Sequence, residues 1–386
     1  MPILTPLQAA DIARGAYDLR QQSVADALKT GIGTDGMFAV DDSSAFSGKS
    51  GALMFKKLST FGYIARGIGA FDSEVLIATR GTAALSDWIT DANIAIQAGP
   101  SSLPVHAGFN ETWKSFAGEI QAFFRQHNPT RVHCVGHSLG GALAALSADF
   151  CSHRRIAQVE LYTFGCPRVG DGIFARSLTR RLGAASIHRV THPSDPVPMI
   201  PFFPFWHLPF GGAGLGIARG NKGLVNAGAH SMASSYLPAV REHSWATLAL
   251  GGPGADEGQR VQTWLEQVAA GHGSFVMGSA TLLSMIGRAL AWLMAKAGQT
   301  VLGGLGLVLT AGATVLDQIA WILGRAAQLS GQLAVHVKTL IGAIFGFLGR
   351  KVVGIADLTV AFLRWLLELL FSSLRAAGQR ALALLS

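Results

Sequence analysis

The segment Gly136-His137-Ser138-Leu139-Gly140-Gly141 carries the clearest chemistry in the chain, a serine with a glycine two residues away on either side. A serine hydroxyl attacks an acyl carbonyl when a histidine takes its proton and a carboxylate orients that histidine. The run Val132-His133-Cys134-Val135 before it predicts a strand, and the Ala/Leu-rich segment from Ala142 to Ala148 predicts a helix. A strand that reverses straight into a helix strains the residue at the apex and leaves no room for side chains at Gly136 and Gly140. Such a turn lifts the Ser138 hydroxyl clear of the sheet. It also sets the N–H of Leu139, at the helix N-terminus, beside any oxyanion that forms there.

A serine turn of this kind takes its partners from farther down the chain, first an aspartate and then a histidine. Asp195 follows Ser186-Ile187-His188-Arg189-Val190-Thr191, a predicted strand, and its loop is stiffened by Pro193 and Pro196. The C-terminal ends of strands are where open parallel sheets bind ligands. Asp171, in a turn, and Asp149, on the helix after the serine, are weaker alternatives. For the base, His230 stands where a Gly/Asn-rich loop meets the helical run Ser231-Met232-Ala233-Ser234-Ser235-Tyr236-Leu237. His243 is the reserve; His192 shares the strand end of Asp195, and His207 lies inside a Phe/Pro/Trp stretch.

Upstream, Val75-Leu76-Ile77-Ala78 predicts a strand that ends in Thr79-Arg80-Gly81-Thr82. The loop after an early strand supplies the second oxyanion donor in such sheets, which points to Thr82. Immediately after it, Leu85, Trp88, Ile89 and Ala92 recur at helical spacing, with Ser86, Asp87, Thr90 and Asp91 on the other face. An amphipathic helix attached to an oxyanion loop reads as a lid, over about residues 83–96.

Five motifs in one order extend this pattern. They are Arg80-Gly81-Thr82 with Trp88 and Asp91, Val105-His106-Ala107-Gly108-Phe109, the serine turn, Thr163-Phe164-Gly165-Cys166-Pro167-Arg168-Val169-Gly170-Asp171, and Arg189-Val190-Thr191-His192 through Pro198. Together, over roughly residues 60 to 245, they resemble the class 3 lipases, the fungal-type α/β-hydrolases. The resemblance implies an α/β-hydrolase fold and a triad of Ser138, Asp195 and His230. It also implies an oxyanion hole from Thr82 and Leu139, a helical lid, and no metal or cofactor. The loop between Asp195 and His230 is short for the family, so the histidine carries over less firmly than the serine.

Hydrophobic residues make up 49% of the 386-residue chain and charged residues 14%, against about 25% charged in ordinary soluble domains. Grease and charge are unevenly placed. From residue 271 onward nine basic and three acidic side chains give +6 of the chain's net +8. Gly-rich breaks at 251–254 and 271–273 put a boundary near 272. The reading is therefore a hydrolase domain over 1–271 and a very hydrophobic, all-helical region over 272–386. Residues 297–316 carry no charge and are long enough to span a bilayer, but five glycines favour a kinked or hairpin segment.

Elsewhere in the tail the polar residues fall into narrow stripes: Arg325, Gln328, Gln332 and His336, then Asp357, Arg364, Glu368, Ser372, Arg375 and Gln379. So little polar circumference suits helices in or on a membrane, and the basic excess suits anionic headgroups. Burial in a bundle against the hydrolase or a partner is the competing arrangement.

Phe202, Phe203, Phe205 and Trp206 stand on a proline-stiffened stretch just after Asp195 and are expected to wall an acyl-chain pocket or touch a membrane. Cys134, Cys151 and Cys166 are odd in number, which argues against a disulfide framework and for folding in a reducing cytosol. No apolar signal segment is visible near the N-terminus.

These features predict a serine ester hydrolase acting on membrane lipid, a phospholipase or lipase. No nucleic-acid partner is expected. The Ala/Gly/Arg-rich composition looks bacterial. A lipase core with a membrane-like tail and no visible signal peptide resembles the toxic lipase effectors of type VI secretion, which travel with an immunity protein or chaperone. The rival reading is a membrane-binding or pore-forming protein whose tail is the active part and whose hydrolase domain is a scaffold.

Overall fold

Strand β7 (Arg131–His137) is buried along its whole length, and its alternation divides the fold into two layers. Val132 and Cys134 face one apolar cluster and Val135 faces another, as successive side chains on a strand must. The neighbouring strand β4 (Glu74–Thr79) repeats the division, with Val75 and Ile77 on the first side and Leu76 and Ala78 on the second. Strands buried on both faces belong to parallel sheets covered by helices. The chain is described by a computed structural model over residues 3–20, 34, 36–41, 44–50, 57–81, 96–201, 204–212, 214–217, 224–248, 257–272, 275–301, 315–350 and 358–383.

Within these residues, β4, β7, β8 (Gln158–Phe164), β10 (Ile187–Thr191) and β12 (Leu215–Gly216) run parallel. Strand β3 (Lys57–Gly67) lies antiparallel to β4, and β1 (Phe38–Ala39) and β2 (Ala45–Ser50) lie antiparallel to β3. Helix α1 (Pro6–Gly15), opened by a reciprocal Thr5–Gln8 cap, covers one face. The other face carries α2 (Ala107–Lys114), α3 (Ala117–Gln126), α4 (Leu139–His153) and α5 (Gly172–Leu182). This is the α/β-hydrolase core expected from the sequence. A small antiparallel sheet joins β5 (Ile96–Ala98), β6 (Pro104–His106), β9 (Gly170–Asp171) and β11 (Phe205–Trp206) beside it.

The C-terminal region is helical, in α6 (Glu257–Ala269), α7 (Ala280–Val301), α8 (Val315–Leu329), α9 (Gly331–Phe347) and α10 (Val360–Ala383). The apolar faces of these helices turn toward one another. Leu290, Ile322, Leu340 and Leu370 share one buried cluster, and Val261 and Leu265 of α6 join it. Helix α6, placed with the hydrolase domain by the Gly-rich breaks, thus packs with the tail.

The polar stripes are distributed differently from the expectation. Ser330 caps α9, accepting from Leu333 N–H at 3.3 Å, so Arg325 and Gln328 stand on one helix and Gln332 and His336 on the next. His336 is buried beside the Trp292 ring. Arg364 bridges to Asp317 of α8 at 2.9 Å and to Glu368 at 3.2 Å. No helix among the described residues is long and apolar enough to cross a membrane. Most of the uncharged segment 297–316, and Asp357, lie outside the described residues.

Hydrolase and bundle share side chains. Ile200, five residues after Asp195, belongs to the bundle core, while Ala381 and Leu382 at the end of α10 belong to the core beneath the sheet. At Gly378 a Cβ would stand 3.1 Å from Ile200 Cδ1. Gly378→Ala should change stability little, since a helix-propensity gain of about 1 kcal/mol offsets the crowding against the flexible end of Ile200. Gly378→Phe should cost about 1–3 kcal/mol by overpacking, read as a lower denaturation midpoint at unchanged secondary structure.

Candidate active site

Ser138 follows β7 directly, caps α4, and stands at φ 59° and ψ −131°. A non-glycine residue in the left-handed region is strained and persists only where its surroundings hold it. The hold is backbone contact. A Cβ on Gly136 would lie 2.2 Å from the carbonyl oxygen of Gly140, and one on Gly140 would lie 2.2 Å from that of Thr79. Thr79 Oγ1 donates to the Gly140 carbonyl at 2.6 Å, and Ser138 N–H donates to Phe164 at 2.9 Å. The turn is thereby pinned to the ends of both neighbouring strands.

Asp195 lies in the turn after β10, where Val197 N–H donates to Oδ1 at 2.9 Å. His230 closes a single helical turn, Ala227–His230, capped by the Asn226 side chain. Its Nδ1 is 2.8 Å from Asp195 Oδ2 and its Nε2 is 2.8 Å from Ser138 Oγ. A carboxylate only accepts, so Nδ1 carries the proton and Nε2 is free to accept from the serine hydroxyl. All three side chains are fully buried. The structure thus brings together Ser138, Asp195 and His230, and Leu139 supplies the first N–H of α4, which has no intrahelical acceptor.

Two contributors escaped the sequence reading. Tyr236 donates its hydroxyl proton to Asp195 Oδ2 at 2.6 Å, and burial together with the charge of Asp195 pushes its phenol far above the ordinary range, so it remains a donor. Gly165 stands at φ 54°, where a Cβ would lie 2.9 Å from Asp195 Oδ2 and 3.1 Å from His230 Nδ1. The only sequence signal for Tyr236 is its place six residues after His230, on the helical run already noted. Gly165 sits within a quoted motif, but its reason is a contact with residues far along the chain.

The alternatives have other partners. Asp149 pairs with Arg181 and accepts from Ser101 N–H, and Asp171 caps α5. His192 accepts from Ser194 N–H, His207 from the Arg168 side chain, and His243 contacts exposed Thr247. Phe205 lies in the small sheet with its ring beside His106, and Trp206 packs on Phe210. Thr82, the lid residues Leu85, Trp88, Ile89 and Ala92, and Phe202 and Phe203 lie outside the described residues. The three cysteines are buried and unbridged. Among the described residues no cluster of histidine, cysteine and carboxylate side chains could hold a metal.

Residues 76–205 match the family described as lipase (class 3). Over these residues the chain is similar to the class 3 lipases. Among curated relatives, a secreted mono- and diacylglycerol lipase of Fusarium solani is 37% identical over 147 residues, covering 35% of this chain and 43% of the relative. A lipase of Rhizomucor miehei is 33% identical over 150 residues, covering 36% and 40%. The chain therefore spans less than half the length of these relatives. Among solved structures, a Rhizopus microsporus var. chinensis lipase overlays at 25% identity and TM-score 0.38, covering 52% of this chain and 70% of the other.

Removing the Tyr236 hydroxyl leaves Asp195 Oδ2 with one hydrogen bond fewer. Tyr236→Phe should lower ester turnover about tenfold, since a hydrogen bond to a charged group is worth roughly 1.5–3 kcal/mol, with folded protein verified by melting. A second outcome concerns acid. His106 and His137 are buried, and burial holds His106 down at about 4 and His137 well below the usual 6.5. Unfolding lets both take up protons below 6.5, so stability present above that pH falls as acid is added toward 4. The slope should be about 1.4 kcal/mol per pH unit for each histidine, read from denaturation midpoints between pH 7 and 5.

Proposed function

We propose that the chain is a serine carboxylic ester hydrolase acting on membrane lipid, a lipase or phospholipase. The observation that carries this reading is His230 held between Ser138 Oγ and Asp195 Oδ2 at 2.8 Å each. Ser138 attacks the acyl carbonyl as its proton passes to His230 Nε2. Asp195 orients the imidazole and balances the imidazolium that forms. The N–H groups of Leu139 and Thr82 stabilise the tetrahedral oxyanion. His230 then protonates the departing alcohol, and water, deprotonated by the same nitrogen, frees the acyl group. Nucleophile, base and charge stabilisers are all groups of the chain itself, and no metal or cofactor enters the scheme.

Lipid as the substrate class is supported by the relatives, named as mono- and diacylglycerol lipases. Exposed Trp321 and Trp365 on α8 and α10 add support, each 44% accessible, in a region with a basic excess. Amphipathic aromatic rings and cations suit the headgroup layer of a membrane. The reading extends to a toxic lipase delivered with an immunity protein or chaperone, for which growth arrest on periplasmic expression is the test.

Hydrolysis itself is tested by mass spectrometry of the products from vesicles of mixed diacylglycerol and phospholipid. Wild type should release fatty acid, and Ser138→Ala should lose at least a thousandfold in rate, as triad serines do. Release unchanged in Ser138→Ala would overturn the proposal. Lysophospholipid among the products would assign a phospholipase, and its absence beside monoacylglycerol would assign a lipase.

A further inference from the structure

The residue before the serine is a second histidine that the reaction scheme does not use. His137 is fully buried, and its Nε2 lies 2.8 Å from the backbone carbonyl oxygen of His230. A carbonyl only accepts, so Nε2 carries the proton and Nδ1 presents a lone pair. Tyr17 Oη stands 2.8 Å from that Nδ1 and therefore donates to it. The same phenol oxygen accepts from Gly81 N–H at 3.2 Å. Every link has one possible direction: Gly81 N–H to Tyr17, Tyr17 O–H to His137, His137 N–H to the His230 carbonyl.

We propose that Tyr17 and His137 are positioning residues, a hydrogen-bonded brace that holds the start of the oxyanion loop in register with the catalytic base. The proposal rests on the hydrolase reading above. Gly81 is the last described residue before Thr82, whose N–H that reading places at the oxyanion. A Cβ on Gly81 would lie 2.4 Å from Tyr17 Oη and 3.1 Å from Ser138 Cβ, so the missing side chain lets the loop reach both. At the other end, His137 grips the main chain of His230, with the two rings 4.6 Å apart.

The brace joins four segments remote in sequence: the residues just after α1, the chain just after β4, the end of β7, and the turn that carries the base. Donor and base must be held to a fraction of an ångström for transition-state stabilisation. Burial and the neighbouring His230 also keep His137 neutral. When His230 becomes an imidazolium, no second cation opposes it.

The test measures kcat and KM on a soluble short-chain p-nitrophenyl ester with the full chain, alongside thermal melting. Tyr17→Phe removes the phenol's links to His137 and Gly81 and should lower kcat by about tenfold with KM unchanged. His137→Gln replaces Nε2 but not Nδ1, and His137→Asn replaces Nδ1 but not Nε2; each breaks one link and should show a similar fall. Because the links act as one unit, Tyr17→Phe combined with His137→Gln should be no slower than Tyr17→Phe alone. Wild-type kcat in folded Tyr17→Phe, or additive losses in the double variant, would overturn the brace while leaving the hydrolase reading intact. Should Tyr17→Phe fail to fold, the two His137 variants decide in its place, full kcat in both being the contradicting result. Full turnover by Ser138→Ala would overturn the hydrolase reading, and the brace with it.

Discussion

Backbone contact between the end of β4 and the turn after β7 is the constraint on which the site depends. Gly140 lies against the Thr79 carbonyl and Gly136 against Gly140, so neither position has space for a single extra carbon. That closeness lets the strand reverse into α4 within one residue, at the cost of a left-handed Ser138. Thr79 then ties the turn back to its neighbour with a side-chain hydrogen bond. The hydroxyl, the helix N-terminus and the strand leading into the oxyanion loop are thereby fixed by one set of contacts.

Around this turn the polar groups are buried and partnered. Asp195 accepts from His230, Tyr236 and the Val197 N–H, while His137 is held between Tyr17 and the His230 carbonyl. Buried polar groups are costly when unpaired and directional when paired, so each partner also sets which nitrogen of each imidazole holds a proton. The C-terminal bundle reaches the same region from outside. Ile200 enters its core, and α10 packs along the turn that carries His230. On this geometry the helices are structural neighbours of the base as well as a surface with exposed tryptophans.

The serine turn was legible because its requirements are local: strand, glycine, apex and small-residue helix are adjacent in sequence. Asp195 was legible because it follows a strand end. His230 could be preferred over His243 only through the loop–helix junction before it, and its contact with Asp195 crosses 35 positions. Tyr236, Gly165 and the Tyr17–His137 pair were not legible, since their roles arise from contacts across the sheet that no spacing records. The grouping of Arg325, Gln328, Gln332 and His336 on one helix face did not hold, for a physical reason. Ser330 breaks a continuous polar stripe into two helices, and apolar faces that suit lipid suit one another equally well.

The most direct test of the account is intact-mass and peptide analysis of the protein after reaction with a fluorophosphonate. One adduct on Ser138 is predicted, formed by the wild type and by at least a thousandfold less in His230→Ala, as loss of the base in a triad requires. An adduct on another residue, or undiminished labelling of Ser138 in His230→Ala, would contradict it.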